Sequence, residues 1–378
     1  MLPAPSIYAS ISYPSLPLPS PILYKSIAGS SIISQFCLDA CQMDQILPQK
    51  FVLEAQEAES ISQYLNLPSV QHLLPRLVQS AQSLARPPIS NFHVGAVGLG
   101  SDGRVFIGVN LEFPGLPLHH SVHAEQFLLT NLALHGCPQL LSFAVSDAPC
   151  GHCRQFLQEL RNSSSLGILV TSHVQGNLDK SLSFKPLSEI LTNPFGPHDL
   201  LSEEIPLLLE PHNNGLSLLP KKALYVEGNS TNLCNGNCEL SACNENSVKL
   251  SSGNREKNEK DEILLRKAAL EAANNSHAPY SGCPSGVALM DSEGKVYRGS
   301  YLESAAYNPS LGPIQAALVA FLAGGGVGYK GIVAAVLVEK EEAKVKQEDT
   351  ARLILKAVSP RCEFTVFYCR SAESGCKK

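Results

Sequence analysis

The sequence predicts an α/β chain in which one unit is used twice. Two observations carry this. Residues 87–112, PPISNFHVGAVGLGSDGRVFIGVNLE, and residues 279–303, PYSGCPSGVALMDSEGKVYRGSYLE, align without a gap at a fixed offset of 191. Pro88, Ser90, Gly95, Gly103, Gly108 and Glu112 meet Pro279, Ser281, Gly286, Gly294, Gly299 and Glu303. In each copy two β-rich runs flank a turn, Ser101-Asp102-Gly103 or Ser292-Glu293-Gly294, which is a hairpin pattern. The second observation is a helical stretch before each hairpin, at 72–85 and at 262–275.

Length and composition set the frame. A chain of 378 residues with 44% hydrophobic content holds two or more domains. The net charge of −5 argues against a polynucleotide substrate, which needs a basic stripe. No apolar run is long enough to span a bilayer, so no membrane partner is expected. Twelve scattered cysteines fit a reducing compartment, and the cytosol is the expected location. Residues 1–42 carry Ser and Pro throughout, with one lysine and one acid, Asp39. Such material does not fold, and a disordered extension is expected over 1–47. It reads either as a plastid transit peptide, although poor in arginine, or as an upstream extension before Met43.

After the first hairpin, Ser121–Leu129 starts polar and continues apolar at helical spacing. Its first turn holds His123-Ala124-Glu125. Pro149 precedes a second helix start, Cys150-Gly151-His152-Cys153, where Pro is favourable and thiolates are stabilised. One imidazole and two thiolates are the ligand count of an open, catalytic zinc site. Zinc lowers the pKa of bound water to about 7, which supplies a nucleophile at neutral pH. Glu125, two residues past the histidine, is placed to move protons without ligating. A redox Cys-x-x-Cys or two buried cysteines would be the alternatives for Cys150 and Cys153 alone. The upstream His-x-Glu and the adjoining Pro match the established signature of zinc-dependent nucleobase deaminases. His152 is expected to point away from the ligand face.

Asn110 and Glu112 stand at i and i+2 at the end of a strand, so they face one side. An amide and a carboxylate there suit ribose hydroxyls; they also suit an ordinary strand end. Phe92 could stack on a base or fill a core.

Between the copies, residues 186–260 read as a connection, and 228–260 as a flexible insertion rich in Asn, Ser, Gly, Lys and Glu. Cys234, Cys238 and Cys243 lie there without zinc-ribbon spacing. At the offset of 191, His-Ala-Glu becomes Ile314-Gln315-Ala316. No Pro-Cys-x-x-Cys follows the strand expected at Ile332–Glu339. The second copy therefore lacks the chemistry. Gly324-Gly325-Gly326-Val327-Gly328 lacks a Gly-Lys-Ser/Thr ending and reads as a turn, not a phosphate loop.

With LPLHHSVHAEQF, APCGHCRQFLQE, FGPHDLL and ESAAYNPS, the chain resembles cytidine deaminases of the dimeric, two-domain type of plants and enteric bacteria. The resemblance covers about residues 70–370 and is closest to the plant form. It implies a three-layer α/β/α sandwich with a mixed five-stranded sheet, duplicated, the second copy degenerate. The catalytic domain would span 48–185 and the degenerate domain 261–372, with a tail at 373–378. The resemblance implies one zinc per chain on His123, Cys150 and Cys153, with Glu125 as proton shuttle. It places the nucleoside on Phe92, Asn110, Glu112, Ala124 and Phe195. Ala306 and Tyr307 would enter the partner's site in a homodimer; bacterial members often have Phe at the latter position.

The expected activity is hydrolytic deamination of cytidine and deoxycytidine in pyrimidine salvage. A polynucleotide-editing deaminase is the first rival and would need a basic, aromatic strand surface. A zinc-stabilised, non-catalytic scaffold is the second, and the intact Glu125 speaks against it.

Overall fold

The structure is a computed structural model that describes residues 50–173, 182–220 and 252–371. The expectations for 1–47, for Cys234, Cys238 and Cys243, and for 373–378 fall outside these residues. The strands are β1 (Val52–Leu53), β2 (Gly95–Gly100), β3 (Val105–Val109), β4 (Leu140–Val145), β5 (Gly167–Val170), β6 (Lys185–Pro186), β7 (Leu216–Leu218), β8 (Ser285–Asp291), β9 (Val296–Ser300), β10 (Ile332–Lys340) and β11 (Glu363–Ser371). The helices are α1 (Ala55–Tyr64), α2 (Leu74–Ser83), α3 (Ala124–Leu134), α4 (Gly151–Phe156), α5 (Leu187–Ile190), α6 (Ser252–Asn274), α7 (Pro313–Ala323) and α8 (Glu348–Val358).

Both predicted hairpins are present. β2 pairs with β3 and β8 with β9, each antiparallel, around turns in which Gly103 and Gly294 have φ of +83° and +84°. That left-handed backbone accounts for a glycine in both copies. The sheets run β1-β3-β2-β4-β5-β6 and β7-β11-β10-β8-β9. Each is mixed, because β4–β5 and β10–β11 are parallel while the other pairs are antiparallel. The second sheet has the expected five strands; the first has a sixth, the two-residue β1 on the outer edge of β3.

Helices cover both faces of the first hairpin. A Cβ at Gly95 would lie 2.8 Å from the Val78 carbonyl of α2, and one at Gly108 only 2.2 Å from the Ala124 carbonyl of α3. Ala96 faces Gly108 across the ladder, so Gly95 looks to the other side and the layers are α/β/α. Gly299 repeats the contact, with its Cβ position 2.3 Å from the Pro313 carbonyl of α7. A glycine stands at both sites because a helix backbone rests on the strand there. Leu128, Leu129 and Leu132 of α3 and Ile314, Leu318 and Leu322 of α7 belong to one buried cluster. The two sheets thus share an apolar core.

The connection is partly structural. β7 falls within 186–260 yet pairs with β11, and α5 lies beside β6 at the start of that stretch. α6 begins at Ser252, inside the stretch expected to be flexible, and ten residues ahead of the expected helix at 262. Its opening is rich in Glu and Lys, good helix formers that carry no apolar periodicity to read.

Candidate active site

Two helix starts meet beside β2. His123 is the N-cap residue of α3, with extended backbone at φ −81° and ψ 155°. Its N–H donates to Gln126 Oε1 at 3.2 Å in a capping box, which fixes the entry angle of the chain. Cys150 is the N-cap residue of α4, and Cys153 sits on its first turn, fully buried.

The three ligand atoms converge. His123 Nδ1 lies 3.6 Å from Cys150 Sγ and 3.3 Å from Cys153 Sγ, and the sulfurs are 3.7 Å apart. Tetrahedral bonds of about 2.3 Å to sulfur and about 2.0–2.1 Å to nitrogen set ligand atoms about 3.5–3.8 Å apart, so a zinc ion fits this trio. Among the described residues it is the one such cluster of His, Cys and acidic groups. A hydrogen bond from Cys153 and the nearby His123 hold the Cys150 thiol down at about 3. Cys153, hydrogen-bonded to that sulfur and buried, is pushed well up. A divalent cation at the centre of the trio removes the reason for that second proton.

Glu125 is 4% exposed, with Oε2 3.2 Å from Cys153 Sγ. Burial raises its pKa. A carboxyl that holds a proton nearer neutrality suits proton transfer. His152 does not leave the site: its ring stacks on His123 at 4.9 Å, and its buried Nε2 has no protein partner. Nothing in the Cys-x-x-Cys spacing announces that stacking.

A cleft of about 450 Å³ opens over these groups. Phe92, Asn110, Glu112, His123, Ala124, Glu125 and Cys150 line it, together with Ile89, Ser90, Leu118 and Asp147. None of the last four was expected as a site residue from the sequence, although Ser90 is one of the matched repeat positions. Asp147 carries the clearest signal, three residues ahead of Cys150. Among the described residues no Lys or Arg lines the cleft. Phe92 and Leu118 are 55% and 69% exposed at its rim.

Asn110 and Glu112 do share a side, and both have local work. Asn110 Oδ1 accepts from Val94 N–H at 2.9 Å, and its amide donates to the Phe92 carbonyl at 2.9 Å. Glu112 accepts from the amides of Ile89 and Ser90 at 2.8 and 2.9 Å and from Ser90 Oγ at 2.6 Å. Burial alone would raise the Glu112 pKa, but these donors outweigh it and hold it low. Phe195 lies off the cleft lining: its carbonyl accepts from Gln155 on α4, and it is 48% exposed. Ala306 and Tyr307 do not line the cleft of their own chain, and Tyr307 is 68% exposed with φ +62°.

The second half corrects the ungapped alignment at this point. Leu111 bridges Val122 in the first half, and Leu302 bridges Leu311 in the second, so the second loop is two residues shorter. α7 accordingly starts from Gly312 as N-cap, where α3 starts from His123. Gly312-Pro313-Ile314, not Ile314-Gln315-Ala316, stands in place of His-Ala-Glu. A Cβ at Gly312 would lie 2.5 Å from Gln315 Oε1, so no ligand side chain fits there without displacement.

The description "cytidine and deoxycytidylate deaminase zinc-binding region" matches residues 68–166 and again residues 187–352. Cytidine deaminase 1 of Arabidopsis thaliana is 53% identical over 327 residues, 85% of this chain and 98% of that protein. Cytidine deaminase 6 of the same plant is 46% identical over 78% of this chain and 91% of its own. A solved cytidine deaminase from Mycobacterium tuberculosis is 30% identical over 33% of this chain and 97% of that chain, with a TM-score of 0.28. With its zinc trio, its buried glutamate and its repeat, the chain belongs to the cytidine deaminase family.

Proposed function

We propose that the protein is a zinc hydrolase that converts cytidine and deoxycytidine to uridine and deoxyuridine plus ammonia, in pyrimidine salvage. The observation that carries this reading is the zinc trio with Glu125 beside it at the floor of a cleft that no Lys or Arg among the described residues lines. Zinc held by His123, Cys150 and Cys153 would supply an activated water. Glu125 would take a proton from that water and pass it to ring N3, which makes C4 electrophilic toward the water oxygen. Once the water oxygen has bonded to C4, Glu125 would pass the water's second proton to the exocyclic amine, which leaves as ammonia as the C4–N bond breaks. Asn110 and Glu112 keep hydrogen-bonding capacity toward a sugar, and Phe92 offers a ring face to the base.

Among the described residues the cleft carries Glu112, Glu125 and Asp147 and no Lys or Arg, which favours a neutral nucleoside over a nucleotide or a strand. The protein acts as a homodimer in the cytosol. The exposed Tyr307 and the open apolar rim at Phe92 and Leu118 support a site completed by a second copy. Ammonia release from cytidine, deoxycytidine, cytidine monophosphate and a single-stranded oligonucleotide tests the substrate. Turnover confined to the nucleosides is expected. Preference for the oligonucleotide would overturn the reading.

A further inference from the structure

The loop 303–310 of the second half is fastened at both ends to the elements that carry the metal ligands of the first half. At its start the Ala305 N–H donates to Glu159 Oε1 at 2.7 Å. At its end the Pro309 carbonyl accepts from Gln126 Nε2 at 2.9 Å. Glu159 closes the 3-10 turn Leu157–Glu159 that continues α4 beyond Cys153. Gln126 follows Glu125 on α3.

Glu159 is a buried hub between the halves, with none of its surface exposed. Its Oε2 accepts from the Tyr280 hydroxyl at 2.6 Å and lies 3.1 Å from His277 Nε2. His277 is also fully buried, and its Nδ1 has no protein partner. The tautomer with the proton on Nε2 therefore donates to the carboxylate. Burial raises the Tyr280 hydroxyl pKa, and the bond to Glu159 adds to it, so Tyr280 is the donor. The loop is folded into two successive turns: Tyr307 N–H donates to the Ser304 carbonyl, and Ser310 N–H to the Tyr307 carbonyl, both at 2.9 Å.

A lock between domains needs only side chains. This one grips the backbone N–H two residues before Tyr307. We propose that Glu159 is a positioning residue for the Ala306–Tyr307 loop. Through it the metal-bearing helix of one protomer sets substrate binding in the other. This rests on the reading that the loop completes the neighbouring protomer's site. Without the carboxylate, the Ala305 N–H, the Tyr280 hydroxyl and His277 lose a buried partner, and the loop shifts to satisfy them.

The test is made in trans, with full-length chains. One chain carries Tyr307→Ala and supplies an intact metal centre. The other carries Glu125→Ala and supplies an intact loop. Heterodimers are isolated through two different tags, and cytidine turnover at the one complete site gives the reference KM and kcat. Glu159→Ala is then added to the Glu125→Ala chain, which does no chemistry. The KM of the complete site should rise roughly tenfold, the scale of one lost charge-assisted hydrogen bond, with kcat changed much less and zinc content unchanged. Glu159→Gln keeps the shape and one acceptor oxygen, and should raise KM by a smaller factor; it decides the matter if Glu159→Ala does not fold. An unchanged KM in trans, with loss only when the substitution shares a chain with the working metal centre, would show that Glu159 braces its own helix, and would overturn the proposal. No activity in the parent heterodimer would instead refute the shared site, and the proposal with it.

Discussion

The first half opens α3 with His123-Ala124-Glu125, and the second opens α7 with Gly312-Pro313-Ile314. Around that difference the halves agree in detail. Glu303 accepts from the amides of Tyr280 and Ser281 at 2.9 and 3.1 Å and from Ser281 Oγ, just as Glu112 accepts from Ile89 and Ser90. Gly299 lies under α7 as Gly108 lies under α3. The lining of the cleft does not agree. Tyr301, 8% exposed, stands where Asn110 stands, and Glu339, 1% exposed, stands where the ladder places Asp147. Glu339 is turned to local use, accepting from Gln347 N–H at 2.8 Å. Positions kept in both halves hold the fold; those kept in the first half alone include residues that line the cleft. Glu112 is kept in both halves and also lines the cleft, whereas Asn110 lines the cleft and is present in the first half alone.

The sharpest way to break the comparison is Glu125→Ala. Turnover should fall roughly 10²–10⁴-fold with zinc retained, measured by ammonia release and metal analysis. Zinc loss in that variant would make Glu125 a ligand and leave the halves differing in metal alone. Next in size is Asn110→Ala. It should raise KM for cytidine roughly tenfold, the scale of one hydrogen bond, and leave free cytosine little affected. Equal loss on both would remove Asn110 from the sugar.

Glu112→Ala and Glu303→Ala sharpen the comparison from the fold side. Each leaves donors without an acceptor, exposed ones on Ile89 and Ser90 and half-buried ones on Tyr280 and Ser281, and each should lower stability in denaturant unfolding, by about 1 kcal/mol for the first and about 1–3 kcal/mol for the second. Only the first should also weaken cytidine binding. A stable Glu112→Ala protein would return that residue to the substrate alone.

The smallest effect concerns the seam between the halves. Burial first, then the nearby His277, hold the His212 pKa down at about 4. Its ring centroid lies 5.2 Å from that of His277. Between about 4 and about 6.5 the unfolded chain binds the extra proton. His212 therefore contributes stability in full above about 6.5, and that contribution is lost as pH falls toward 4. His212→Asn should lose less stability than the parent between pH 7 and 5. An identical pH profile would show that His212 titrates freely in the folded protein.

The metal site was legible because its chemistry demands residue types at fixed spacings within two short segments. The repeat was legible because glycines mark backbone requirements, at the turns and under the helices. The two-residue deletion before Gly312 was not, since a loop keeps no periodicity across which to count. Glu159, His277 and Tyr280 were silent for another reason: each is an ordinary residue until the fold brings the halves together. The start of α6 was hidden by charged residues whose composition also suits a linker.

The claim that one half reacts while both halves fold is tested most directly by zinc stoichiometry on the purified full-length chain, read alongside cytidine turnover. One zinc per chain with ammonia release, and no zinc and no turnover in Cys153→Ala, is the expected result. Two zinc ions per chain, or a zinc-replete chain that releases no ammonia from cytidine, would contradict it.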